Sequence, residues 1–288
     1  MKLRIVDVAG SDAKLLLELK RAADGGDTDA FVVGVPAIVD DTLASAIALV
    51  RRPVLFTLPI PEPTGEAARW IFGLAPRPDA VARVLVDALP SRSTPGIIVT
   101  SGSLASGREE LAIGAVFRED GRPRPFVMSA APEQRDTFAQ RFRPFATTGS
   151  GVYFTGPATS FLDPTRIVPA SDATTTALVF LSYLTDANDA GRLGDAAPGA
   201  RWPGLRRPTT LALGTHAATA TDALAMLAAS ADAVADPERS RARIESSTFA
   251  GIATTYAFSA SRHTGVDPRE IVLLAWENGR VVAARPAR

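Results

Sequence analysis

What most restricts the fold of this chain is the regular exchange of strand-like for helix-like runs through its first 120 residues. LRIVDV (3–8) is a β-branched run suited to a buried strand, and GSD after it supplies a turn and a helix cap. AKLLLELKRAAD (13–24) has helical periodicity and ends at Gly25-Gly26. The pattern then repeats: DAFVVGV as strand, DDTLASAIALV as helix capped by Asp40 or Asp41, PVLFTLP and WIFGLAP as strands. DAVARVLVDAL follows as a helix with Val81, Val84, Leu85 and Ala88 on one stripe, then GIIVTSG as strand and SGREELAIGAVF as helix. Strands alternating with helices predict an α/β chain of two doubly wound lobes with mainly parallel sheets.

The second half is less regular. RPFVMSAAP, GVYFTGP and RIVPAS read as strands, EQRDTFAQRF and ATTTALVFLSYLTDA as helices, and residues 186–208 as a long surface loop rich in Gly, Pro, Asp and Arg. Helices are expected through THAATATDALAMLAAS and PERSRARIE. The chain then closes on IATTYAF, EIVLLAW and NGRVVAA, read as a meander with a hairpin turn at Asn278-Gly279 and His263 near a turn. LPSRSTPG (89–96) is the expected linker between lobes, and VLFTLP (54–59) is echoed by VYFTGP (152–157).

Composition removes several kinds of chemistry. Lys+Arg and Asp+Glu both number 31, a formal charge of zero, without the basic excess a nucleic-acid or anionic-membrane surface needs. With no cysteine there is no disulfide, thiolate nucleophile or Cys metal site. No apolar run reaches the ~18 residues of a membrane span. There is no P-loop, VDVAGSDA lacks the dinucleotide-binding glycine spacing, and SGSLASG fails the G-x-S-x-G pattern of a nucleophile elbow. The two histidines, His216 and His263, lie in no metal-ligand spacing, so no metal or cofactor is expected. Polar loops at strand ends remain: Ser101 and Ser103 after GIIVT, and Asp172 in PASDATTT, either a helix cap or a carboxylate facing a ligand ammonium or hydroxyl.

Taken in order, four segments resemble the type I periplasmic binding proteins, in the leucine/isoleucine/valine and amide-binding branch that serves ABC transporters. They are residues 3–35, residues 52–89, TATDALAMLAAS with Thr221 where the family usually has tyrosine, and the closing stretch 251–284, where the family often carries a histidine in a hairpin turn, here His263. The resemblance implies two α/β lobes with ligand held by strand-end loops, no enzymatic activity, and an extracytoplasmic location. It departs from the family at the start, which matches the second strand rather than the first, and in two loops: in GVPAIVDD, Val35-Pro36-Ala37 lacks the expected hydroxyls, and in TLPIPEPT, Pro59, Pro61 and Pro63 stiffen the loop.

The expectation is a solute-binding protein for a small polar, amino-acid or amide-like ligand, with an ABC permease or a sensor kinase as partner; the alternative is a sensor or interaction module of the same fold that no longer binds an amino acid. Thr57 and Thr64 in one lobe, and Ser101, Ser103, Thr155 and Asp172 in the other, are the expected ligand contacts. The first lobe is expected at 1–90 plus 205–245, the second at 91–204 plus 246–288. His263 is expected to be dispensable for binding. LRIVDV is expected to pair directly with DAFVVGV across a right-handed crossover, the other possibility being a strand from outside the chain.

Overall fold

The structure is a computed structural model. It describes residues 4–8, 12–26, 28–35, 37, 39–88, 97–101, 104–119, 121, 126–130, 137–138, 140–142, 152–155, 178–182, 211–230, 236–251, 253–277 and 280–283. The chain divides into two compact units: Met1–Arg77 with Ala218–Asp267, and Pro78–Ala217 with Pro268–Arg288. The expected linker 89–96, the strand RIVPAS, the loop 186–208 and the turn Asn278-Gly279 lie outside the described residues.

In the first unit, α1 (Asp12–Gly25) leads to β1 (Phe31–Val33), α2 (Asp41–Val50), β2 (Val54–Phe56), a 3-10 turn (Glu66–Trp70) and β3 (Ile71–Gly73). Gly26 follows α1 at φ +70°, a conformation that favours glycine. Asp40 caps α2, its carboxylate accepting the Leu43 N–H at 2.9 Å. The strands form a parallel sheet in the order β1-β2-β3. Val33, Val54, Phe56 and Ile71 from it share one core with Leu15 and Leu19 of α1 and Leu43, Ile47 and Val50 of α2.

The returning chain seals the β3 edge. After α5 (Leu211–Ala229), α6 (Pro237–Ser246), β8 (Thr248–Ala250) and β9 (Thr255–Ala257), residues 263–265 run alongside the end of β3 at Gly73. Gly73 donates its N–H to the His263 carbonyl at 2.8 Å and accepts the Gly265 N–H at 2.9 Å. A Cβ on Gly73 would lie 3.1 Å from both Ile60 and Thr264, so glycine lets the strands approach. His263, 3% exposed, stacks on Phe72 with ring centroids 4.8 Å apart. Its Nδ1–H donates to the Ile71 carbonyl at 3.0 Å, and Nε2 lies 3.3 Å from Glu245 of α6. Glu62 accepts both the His263 N–H and the Thr264 hydroxyl. A second anchor is buried Asp222 of α5, which accepts the Ala253 N–H at 2.8 Å and the Tyr256 hydroxyl at 3.0 Å. A Cβ on Gly251 would stand 2.4 Å from that carboxylate.

The second unit holds α3 (Pro78–Ala88), β4 (Ile97–Ser101), α4 (Leu104–Glu119), β5 (Phe126–Ala130), β6 (Val152–Phe154), β7 (Leu178–Ser182), β10 (Val272–Glu277) and β11 (Arg280–Ala283). Its sheet runs β11-β10-β7-β6-β4-β5, parallel from β5 to β7 and antiparallel through β10 and β11. Ile98 and Tyr153 of the sheet pack with Ala82 and Leu85 of α3 and Ile113, Val116 and Phe117 of α4.

Five expectations change. Arg4–Val8 is in no strand, and among the described residues β1 pairs only with β2, so direct pairing of LRIVDV with β1 does not occur. Val8 is buried in the core, but Ile5 is 87% exposed. LVFLS (178–182), expected inside a helix, is β7: an apolar run this short carries no decisive period, and a place in a parallel ladder decides it. The expected terminal meander is split, because β9 pairs with β8 while β10 pairs with β7 and β11. The unit boundaries fall at 77/78, 217/218 and 267/268, where 90/91, 204/205 and 245/246 were expected. The packing of α3 on α4 and the bonding of residues 263–265 to Gly73 account for the first and last of these differences. His263 is buried rather than exposed in a turn, so His263→Ala is expected to lower stability by about 2–4 kcal/mol through a cavity and an unpaired carbonyl. Urea unfolding checks this, and a loss under about 0.5 kcal/mol would contradict the clasp.

Candidate functional site

In an open α/β sheet, ligands bind beyond the carboxyl ends of the strands, where successive connections depart in opposite directions. In the second unit β5 lies on one side of β4 and β6 on the other, so that point lies between β4 and β6. The register there pairs Ile98 with Val127 and with Tyr153, and all three pack against the α3 and α4 side. Side chains two residues on point the same way. The next row on that face is therefore Ser129, Thr100 and Thr155: a line of three hydroxyls across β5, β4 and the end of β6.

The row grades from exposed Ser129 to fully buried Thr100 and Thr155. Thr100 Oγ1 donates to Glu110 Oε1 of α4 at 3.0 Å and lies 3.5 Å from Ser129 Oγ. Thr155 continues the ladder by donating its N–H to the Val99 carbonyl at 3.0 Å, but its buried hydroxyl has no partner. Beneath the row, burial pushes the Tyr153 phenol up from its ordinary value, so it is a neutral group there.

Thr57 is the matching residue of the first unit and acts as an internal control. The VLFTLP and VYFTGP echo places both threonines just after a strand, and Thr57 donates its N–H to Val33 across the ladder as Thr155 does to Val99. Thr57 Oγ1 also donates to the Val33 carbonyl, at 3.3 Å. Its hydroxyl is thus satisfied within the fold; that of Thr155 is not. Thr64 is exposed in the loop after β2, and Glu62 of that loop is taken up by residues 263 and 264. Ser101 ends β4, with its side chain outside the described residues, as are Ser103 and Asp172 altogether. His216 lies in α5, its side chain likewise outside them. Thr100, Ser129 and Glu110 were not singled out by the sequence. The available signal was a charge on an inward helical stripe, since Glu110 stands three residues before buried Ile113. Among the described residues no cluster of three His, Cys, Asp or Glu could hold a metal, and no helix is long and apolar enough to cross a membrane.

Neither the protein-family models nor the curated proteins match this chain. Solved structures do. An extracellular ligand-binding receptor from Rhodopseudomonas palustris HaA2 superposes with a TM-score of 0.68 at 14% identity, covering 99% of this chain and 89% of that one. A periplasmic binding protein type 1 from Bordetella pertussis Tohama I gives 0.66 at 15%, covering 98% and 87%. The chain has the type I periplasmic-binding-protein fold. A third protein of this fold, an ABC transporter substrate-binding protein from Desulfitobacterium hafniense in complex with Leu, gives 0.59 at 15%, covering 97% and 87%. The resemblance drawn from the motif order therefore holds at the level of fold.

The contrast between the two threonines has a direct consequence. Thr57→Val removes a satisfied buried hydrogen bond and is expected to cost about 1 kcal/mol. Thr155→Val replaces an unsatisfied hydroxyl with a methyl group of the same shape, so ligand-free stability is expected to hold or rise. Paired urea melts check this; equal losses from both would show that Thr155 is satisfied as Thr57 is.

Proposed function

We propose that the chain is a non-enzymatic, extracytoplasmic solute-binding protein that takes up a small polar ligand, amino-acid or amide-like, for delivery to an ABC transporter. The observation that carries this is the buried, unpartnered Thr155 hydroxyl at the β4/β6 strand ends. A buried hydroxyl without a partner costs free energy, and a ligand that supplies the missing hydrogen bond turns that cost into affinity. Further support comes from the neighbours of this fold, which include an extracellular ligand-binding receptor, a periplasmic binding protein and an ABC transporter substrate-binding protein in complex with Leu. Thr57, Thr64, Ser101, Ser103, Thr155 and Asp172 are the proposed contacts, and Thr155 is the one whose unmet hydrogen bond calls for a ligand.

Thermal melts with a panel of L-amino acids, their amides and small carboxylic acids test the proposal. A ligand present at a hundred times its Kd stabilises by about 2.7 kcal/mol. That is expected to raise Tm by several degrees for at least one class of solute, and by less in Thr155→Val. A flat panel would overturn the solute-binding reading, and an unchanged shift in Thr155→Val would move the ligand away from this site.

A further inference from the structure

His263 has an acceptor on each side of its ring. The Ile71 carbonyl lies 3.0 Å from Nδ1, and the Glu245 carboxylate lies 3.3 Å from Nε2. A carbonyl and a carboxylate only accept, so both contacts are hydrogen bonds only if both ring nitrogens carry a proton. A neutral ring has one N–H and one lone pair, and that lone pair would face one of the two acceptors. Burial and the stack on Phe72 hold the ring in this setting. Two carboxylates face residue 263: Glu245 from α6, and Glu62 from the loop after β2, which takes the backbone N–H. Each has a cation behind it, Arg241 on the same Glu245 oxygen and Arg77 at 3.8 Å from Glu62. β3 brings only Ile71, Phe72 and Gly73, and neighbouring Arg262 turns its guanidinium to the Ala257 carbonyl. Beyond Glu245 the charges alternate outward: Arg241 bonds Glu238, which bonds Arg69 and Arg51. Arg241 and Arg69 both stand over the Trp70 ring, so the chain of pairs keeps Glu245 in place against His263.

We propose that His263 is held as an imidazolium between Ile71 and Glu245, and that this proton makes the closure on Gly73 a pH-dependent latch. With the proton in place, Nε2–H gives Glu245 a charge-assisted hydrogen bond. When the proton leaves, a lone pair stands 3.3 Å from a carboxylate oxygen, and an attraction inside the fold becomes a repulsion. The unfolded chain has no such contact to lose. The stability the latch contributes is therefore present in mildly acid solution and falls as pH rises, because there the folded state holds the extra proton. The bonds of residues 263 and 265 to Gly73 loosen first, and with them the closed end of β3. The latch lies wholly within the first unit and is independent of what the second unit binds.

Two measurements on the full chain test the latch. The first is the ring nitrogen chemical shifts of His263 at neutral pH, with His216 the only other histidine to assign. Both nitrogens are expected to be protonated, and a bare Nε2 would overturn the proposal. The second is urea unfolding from about pH 6 to about pH 9, across the range in which histidine titrates, for wild type and Glu245→Gln. Glutamine keeps the shape of glutamate but can donate an amide N–H to a bare Nε2, so it suits the neutral ring. In wild type the unfolding constant is expected to rise several-fold across that range, and the exchange protection of the Gly73 and Gly265 amides to fall with it. In Glu245→Gln that rise is expected to shrink or reverse, a change that a merely structural carboxylate would not produce. An equal pH slope in the two proteins would overturn the latch. If Glu245→Gln fails to fold, His263→Gln, whose side chain does not titrate, takes its place: a flattened slope supports the latch, and a slope as steep as that of wild type overturns it.

Discussion

The fold of the first unit depends on the bonds that residues 263–265 make with Gly73. They tie the end of a three-stranded sheet to chain that returns almost two hundred residues later. Without them β3 would be an open edge, and Phe72 would lose its stacking partner His263. The separation itself is not the obstacle it looks, because closing entropy grows only with the logarithm of loop length. What the closure demands is close approach and buried satisfaction. Gly73 permits the first; Glu62 and the His263 imidazole provide the second by taking or giving the hydrogen bonds that would otherwise be orphaned.

That closure has a functional side. The loop after β2 is where the first unit could offer hydroxyls to a solute, yet Glu62 in that loop holds residues 263 and 264 and Thr57 bonds the neighbouring strand. The strand ends of the second unit are arranged differently. There the β4/β6 divergence leaves a hydroxyl row unfinished at Thr155, and α4 lowers a carboxylate onto it. At the carboxyl end of β2 the first unit satisfies its own hydroxyl, Thr57, although Thr254 just before β9 is buried without a partner. The second unit leaves one for a ligand, which is where the proposed recognition resides.

Much of this was legible in the sequence wherever local chemistry and tertiary context agree. Asp40 before an apolar-periodic run and Gly26 after another mark helix ends that the structure reproduces, and the helix read at PERSRARIE is α6. The run LVFLS shows the limit: five apolar-rich residues suit a helix or a strand, and only a place beside β6 makes them β7. LRIVDV fails for the complementary reason: strand propensity alone makes no ladder, and Ile5 stays in solvent although β1 is paired on one side only among the described residues. At the site, Thr155 was visible as a hydroxyl after a strand, but its missing partner is a property of register. Glu110 becomes meaningful only once Thr100 is seen beneath it.

The account stands on a solute meeting the second unit at the β4/β6 strand ends, and backbone amide chemical shifts report that most directly. Titration of the labelled chain with a solute that raises its melting temperature is expected to move the amides of Thr100, Glu110 and Thr155 first and furthest, with saturation matching the calorimetric Kd. If those three amides stay in place while the solute binds, recognition does not occur at the unfinished hydroxyl row and the account is wrong.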